Sequence, residues 1–144
     1  MPTEMLSAQD PGIAKIRALL LAARADLAGD VRALAQIGHQ KVHGKGTVPD
    51  RSAAIETMRK KIETLRASVE GTAVSGTLAI TARDLTARAL RDNAQALAKL
   101  AESYAATDQA SSLALVSESM RLTTEAKATS ARAGKALGIP WPLQ

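Results

Sequence analysis

Aliphatic residues recur every three or four positions along most of this chain, which is the spacing of one face of an α-helix. The first such stripe comprises Ile13, Ile16, Leu20, Leu27, Val31 and Leu34. Ser7 or Asp10 can cap this helix, and Pro11 suits its first turn because a missing N–H costs nothing there. The pattern predicts a helix over about 11–38.

Glycine and proline divide the rest of the chain. Gly44, Gly46 and Pro49 indicate a flexible loop over 39–50. A strict three-four spacing of apolar residues then predicts a second helix over 51–70. Gly71 and Gly76 mark either a turn or a kink before a third helix over 77–106. A fourth helix is predicted over 109–137, followed by a tail over 138–144.

These elements predict a single all-α domain over 1–144, with three or four long antiparallel helices in a bundle or an extended hairpin. The core is expected to be thin, because the chain is rich in Ala, has no Phe, and has only one Tyr and one Trp. The apolar arcs are wide for such slim helices. Coiled-coil-like association with a second copy or with a helical partner is therefore expected.

Charge and composition exclude several classes of function. The net charge is +5, but basic residues are spread over both halves of the chain and are not interleaved with aromatic residues, so no specific nucleic-acid binding is predicted. No apolar run is long enough to span a membrane, and the first residues do not resemble a signal peptide. We expect a soluble protein that is either cytoplasmic or exported by a leaderless route.

No residue pattern demands catalysis. His39 and His43 have the spacing of a zinc helix, but no third His and no Cys completes a ligand set, so neither a metal nor another cofactor is expected. The carboxylates of Asp26 and Asp30 lie beside Arg24 and Arg32, and surface ion pairs with these neighbours explain them. We therefore predict a protein that is not an enzyme.

One stretch carries a resemblance to a known family. The segment LRDNAQALAKLAESYAATD ends an Ala/Leu-rich helix with Tyr104 and Asp108, which the periodicity places one turn apart on the same side of the helix. Over about residues 78–108 the chain resembles the helical substrates of type VII secretion, the WxG superfamily and especially its EspC-like branch. That resemblance implies recognition by a secretion machinery through Tyr104-x-x-x-Asp108. The family's Trp-x-Gly is absent, and Gly71 and Gly76 occupy its place.

The alternative for these two residues is structural: Tyr104 packs in the bundle and Asp108 caps the next helix. For the whole protein, the patterns indicate a non-catalytic binding or assembly function, with a type VII secretion-like exported or accessory protein as its sharpest form. The second hypothesis is a structural or scaffolding subunit of a phage or another large assembly. Candidate partner-recognition residues are Tyr104, Asp108 and Trp141.

Overall fold

The computed structural model describes residues 10–42 and 48–139, and their side chains over 10–33 and 52–139. Four helices account for nearly all of this part of the chain: α1 (Pro11–Val42), α2 (Val48–Glu70), α3 (Thr77–Ala105) and α4 (Gln109–Leu137). The described residues contain no strand. The prediction of an all-α bundle is confirmed.

The predicted loop over 39–50 is too long. Helix α1 continues past Gly38 to Val42, and α2 already begins at Val48. A glycine inside a helix costs only about 1 kcal/mol relative to Ala, which the surrounding turns can offset. Pro49 lies in the first turn of α2, where its missing N–H has no helical partner to lose. Residues 43–47 lie outside the described residues.

Each helix packs mainly against its neighbours in the sequence. The contact between α3 and α4 is the most extensive, α2 packs on α3, and α1 packs chiefly on α2. Short connections over 71–76 and 106–108 make consecutive helices antiparallel. The connection over 71–76 is a turn and not a kink, and its last residue, Gly76, has a φ of 86° that favours glycine.

All four helices contribute to one apolar core, which is densest where α1 begins and α4 ends. Its fully buried large side chains are Ile13, Ile16, Leu20, Val69, Leu90 and Leu137. Helix α3 adds mostly Ala to this cluster, including Ala79, Ala82 and Ala94. Small side chains let helix axes approach closely, which gives the α3–α4 pair its long contact.

The start of α1 is fastened to the turn between α2 and α3. One carboxylate oxygen of Asp10, Oδ1, accepts a hydrogen bond from the Gly12 N–H at 2.8 Å and caps the helix. The other, Oδ2, accepts from the Ser75 N–H at 3.0 Å. The bond from Ser75 is the largest influence on this carboxyl and, with those from Gly12 and Ile13, lowers the pKa of Asp10 against the opposing effect of burial.

Candidate functional site

The apolar stripe of α1 is buried at one end of the helix and exposed at the other. Ile13, Ile16 and Leu20 have 0% of their surface exposed. Leu27 is only partly buried, and Val31, further along the same face, is 54% exposed. The stripe therefore continues beyond the four-helix core, and nothing in the described part of the chain covers its far end.

The apolar face of α4 also changes from exposed to buried along the helix, but here the buried end is the C-terminal one. Its C-terminal residues Ala133 and Leu137 are buried in the core, whereas Leu113 and Met120 are 59% and 65% exposed. Leu113, Val116 and Met120 are three and four residues apart, so they lie on one helical face. Because α1 and α4 are antiparallel, the exposed ends of their stripes lie at the same end of the bundle.

A groove of about 310 Å³ lies between these two helices. Its walls come from α1 and α4, and its floor comes from α2 and α3. Among its lining residues are Leu27, Val31, Met58, Leu97, Thr123 and Lys127. The groove is mostly apolar, and among the described residues that line it only Lys127 is charged. Such a surface is suited to an apolar face that carries a few polar groups at its edge.

The polar side chains of the groove are of two kinds. Some are already committed within the bundle: Ser119 Oγ donates to the Ala96 carbonyl oxygen at 2.7 Å, which ties α4 to α3. By contrast, Ser130 Oγ is fully buried and has no hydrogen-bond partner. Asn93 and Lys127 also line the groove. The Lys127 ammonium can only donate hydrogen bonds and so favours an acceptor such as a carboxylate oxygen, whereas the Asn93 amide can both donate and accept.

Ion pairs hold α1 against α2, on a different side of α1 from the groove. Lys61 Nζ lies 2.9 Å from Asp26 Oδ1 and 2.8 Å from Asp30 Oδ2. Hydrogen bonds to Asp30 and then Asp26 raise the pKa of Lys61. The prediction that Arg24 and Arg32 pair with these carboxylates is wrong. The actual partner lies on the next helix, which spacing along α1 alone does not show.

A second depression, of about 340 Å³, lies between α2 and α3 and is lined mostly by charged residues. Its Arg66 pairs with Glu63 at 2.6 Å and with Glu70 at 3.0 Å. Its Arg83 contacts Asp84 at 3.3 Å. These pairs are ordinary contacts of a solvated surface, so the apolar groove is the stronger candidate site.

The predicted geometry of Tyr104 and Asp108 is wrong. Helix α3 ends at Ala105, and Ala106 has extended backbone with ψ of 139°, so the two residues do not lie on one helical face. Asp108 caps α4 by accepting from the Ser111 N–H at 2.7 Å, and this bond lowers the pKa of Asp108. The capping alternative is therefore confirmed for Asp108. Tyr104 is half-buried near the end of α3.

Most of the other candidate residues, or their side chains, lie outside the part of the chain that the structure describes. Trp141 and His43 lie outside the described residues, and His39 belongs to α1 with its side chain not described. In the described ranges, no cluster of three His, Asp or Glu side chains has a metal-binding arrangement. No helix there is both long and apolar enough to cross a bilayer.

Comparisons with family models, curated proteins and solved structures found no match.

Proposed function

We propose that this protein is a non-catalytic binding module whose groove between α1 and α4 receives an amphipathic helix of a protein partner. One observation carries the proposal: the stripe that forms the core at Ile13 and Leu20 continues to Val31, which is 54% exposed and lines the groove. An apolar surface of this kind is stabilised when a partner removes it from water.

The form of the groove supports a helical occupant. Its two walls are helices whose apolar residues recur every three or four positions, and an incoming helix has the same spacing on its own apolar face. The volume of about 310 Å³ is at the lower end of the range for enclosed small-molecule sites. An open trough of this size is better matched to a row of side chains.

The state of the acidic residues supports binding over acid–base catalysis. In the described part of the chain, Asp26, Asp30 and the other carboxylates pair with cations or cap helices. General acid–base chemistry requires a titrating group that is free to reach a substrate. The described lining of the groove includes Lys127 and no carboxylate.

The two narrower hypotheses differ in the occupant and in the recognition residues. A type VII secretion-like role depends on Tyr104 and Asp108 and stays a prediction. A scaffolding role in a large assembly would place a second copy of the chain in the groove, with Trp141 as a further contact. Both hypotheses are forms of helix-mediated binding, so the groove is the feature to test first.

The experiment uses a designed amphipathic peptide with Leu at positions i, i+3, i+4 and i+7 and with neutral Gln on the flanks. Fluorescence anisotropy measures its binding to the parent protein and to a Val31→Lys/Leu100→Lys double variant, in which both substituted residues line the groove. We expect the double variant to bind at least about tenfold more weakly, because burying either side chain contributes about 1.5–3 kcal/mol.

The matched control is Leu78→Lys. Leu78 is 56% exposed, close to the 54% of Val31, but it lies at the start of α3 and does not line the groove. The control is expected to bind the peptide like the parent. Equal binding by all three proteins, or no binding by a parent that sedimentation shows to be monomeric, would refute the proposal. A dimer that the double variant dissociates would instead identify a second copy as the occupant.

A further inference from the structure

Negative charge in the described part of the chain is fully compensated. Ten acidic side chains lie within 3.8 Å of a Lys or Arg nitrogen. The two that remain, Asp10 and Asp108, cap α1 and α4. None of these carboxylates is left to attract a basic partner.

Positive charge is not compensated in the same way, and the excess is concentrated on the two helices that form the walls of the groove. Several described Lys and Arg side chains have no acidic partner, and most of them belong to α1 or α4. These are Lys15, Arg17, Arg24, Arg32, Lys127, Arg132 and Lys135. Among the described side chains outside α1 and α4, the unpaired cations are Lys60 on α2 and Arg88 on α3.

One of these cations, Lys127, is a lining residue of the groove, and two others lie on the face of α1 that leads to it. Arg17 and Arg24 precede Val31 at successive intervals of seven residues, so they share its helical face. Lys127 lines the opposite wall. Arg17 Nε is buried and has no hydrogen-bond partner. The described lining of the groove is thus mostly apolar with one cation on α4, and further cations lie on the face of α1 that leads to Val31.

We infer that the occupant of the groove is an amphipathic helix of a different protein, with Asp or Glu residues flanking its apolar stripe. This inference rests on the proposed function and specifies the chemistry of the partner. Acidic flanks would meet Lys127 in the groove and Arg24 on the α1 face that leads to it, while the apolar stripe covers Val31 and Leu100. Opposite charges at the rim speed association and exclude partners with the wrong sign.

A second copy of this chain fits the groove poorly. Four of its six described large apolar side chains that are exposed lie on its own α1 and α4, the helices that carry Arg24 and Lys127. A symmetric dimer through this surface would bring cationic rims together, in a chain whose net charge is already +5. Like charges placed face to face oppose association.

The test compares three versions of the designed peptide that differ only in their flanking residues: Gln, Glu or Lys. At low ionic strength the Glu peptide is expected to bind the parent protein about tenfold more tightly than the Lys peptide, because attraction replaces repulsion at several rim positions. In about 1 M NaCl, where screening is nearly complete beyond about 3 Å, the difference is expected to largely disappear.

Matched charge variants locate the effect. Arg24→Gln/Lys127→Gln is expected to reduce the Glu-to-Lys ratio at least about threefold. Lys60→Gln/Arg88→Gln removes the same charge from unpaired cations on α2 and α3 and is expected to leave the ratio unchanged. Circular dichroism verifies that both variants keep the parent's helicity.

The outcomes separate the two proposals. If the Gln peptide binds and Val31→Lys/Leu100→Lys abolishes binding, but the Glu and Lys peptides bind equally, the charge inference fails and the proposed function stands. If no peptide binds, both fail. Binding to phosphatidylglycerol vesicles without binding of the Glu peptide would overturn the inference in favour of an anionic membrane surface.

Discussion

Gly12 lies where α1 meets the turn between α2 and α3, and Gly12→Ala is the most direct test of how the bundle is closed. An added Cβ would lie 2.1 Å from the Ala73 carbonyl oxygen and 2.7 Å from Cγ1 of Val74. The first of these atoms belongs to the backbone and cannot rotate away. The start of α1 must therefore move relative to the turn.

Three effects determine how much Gly12→Ala changes the free energy of unfolding. Forcing an extra methyl group into a packed contact costs about 1–3 kcal/mol. The shift of α1 also weakens the hydrogen bond from the Ser75 N–H to Asp10, and a bond to a charged group contributes about 1.5–3 kcal/mol when fully formed. Alanine favours a helix over glycine by at most about 1 kcal/mol. We expect a net loss of about 2–3 kcal/mol in the free energy of unfolding.

Gly29→Ala is the matched control, because it makes the same substitution in the same helix. The nearest atom to a Cβ at Gly29 is Arg32 Nη2 at 3.9 Å, which is ordinary contact with the end of a flexible side chain. Only the helix preference remains, so this variant is expected to gain about 0.5–1 kcal/mol.

Urea unfolding followed by far-UV circular dichroism measures both variants against the parent. The urea midpoint is expected to fall for Gly12→Ala and to rise for Gly29→Ala, while the dependence of the unfolding free energy on urea concentration stays similar. A Gly12→Ala protein as stable as the parent would refute the argument. So would equal shifts for the two variants, since the contact with Ala73 would then have no energetic consequence.

Three further predictions concern single side chains. Asp10→Ala is expected to destabilise the fold by about 1–3 kcal/mol at neutral pH. Because folding lowers the Asp10 pKa below its ordinary 3.8, this loss of stability relative to the parent should shrink as pH falls through the folded-state pKa. Urea unfolding at several pH values measures the difference. Asp108→Asn keeps a capping side chain but removes the carboxylate, so thermal unfolding should change little, whereas a type VII secretion assay should lose export if the acid itself is recognised. Ser119→Ala should lower the free energy of unfolding by about 1 kcal/mol, because it removes the hydrogen bond from Ser119 Oγ to the Ala96 carbonyl oxygen. Ser130→Ala removes a hydroxyl that has no partner, so in the same unfolding assay it should be neutral or stabilising.

The sequence was sufficient to predict most of the secondary structure. The predicted helices over 77–106 and 109–137 differ from α3 and α4 by no more than one residue, because local apolar spacing and the Asp108 cap define them. Over 39–50 the glycines and the proline predict a longer loop than the structure has, because helix propagation outweighs their low helix preference. Periodicity also does not show the break after Ala105, where the extended backbone of Ala106 separates Tyr104 from Asp108.

The groove could be predicted only in part. Periodicity placed Leu27 and Val31 on the same stripe as Ile13, but it could not show which of them would be covered. Coverage depends on where α4 lies relative to α1, and this is set by contacts between residues far apart in the sequence. The pairing of Lys61 with Asp26 and Asp30 is one such contact, over more than thirty residues of chain.

Two sets of contacts explain why the bundle closes at one end and leaves a groove at the other. At the closed end, Asp10 binds Ser75 and Gly12 allows α1 to approach the backbone at Ala73. Further along, Lys61 holds α1 against α2, on a different side of α1 from the groove. Helix α4 meanwhile packs along α3. Since α1 and α4 are each held by a different neighbour, they need not meet beyond the core, and the apolar side chains between them are left for a partner to cover.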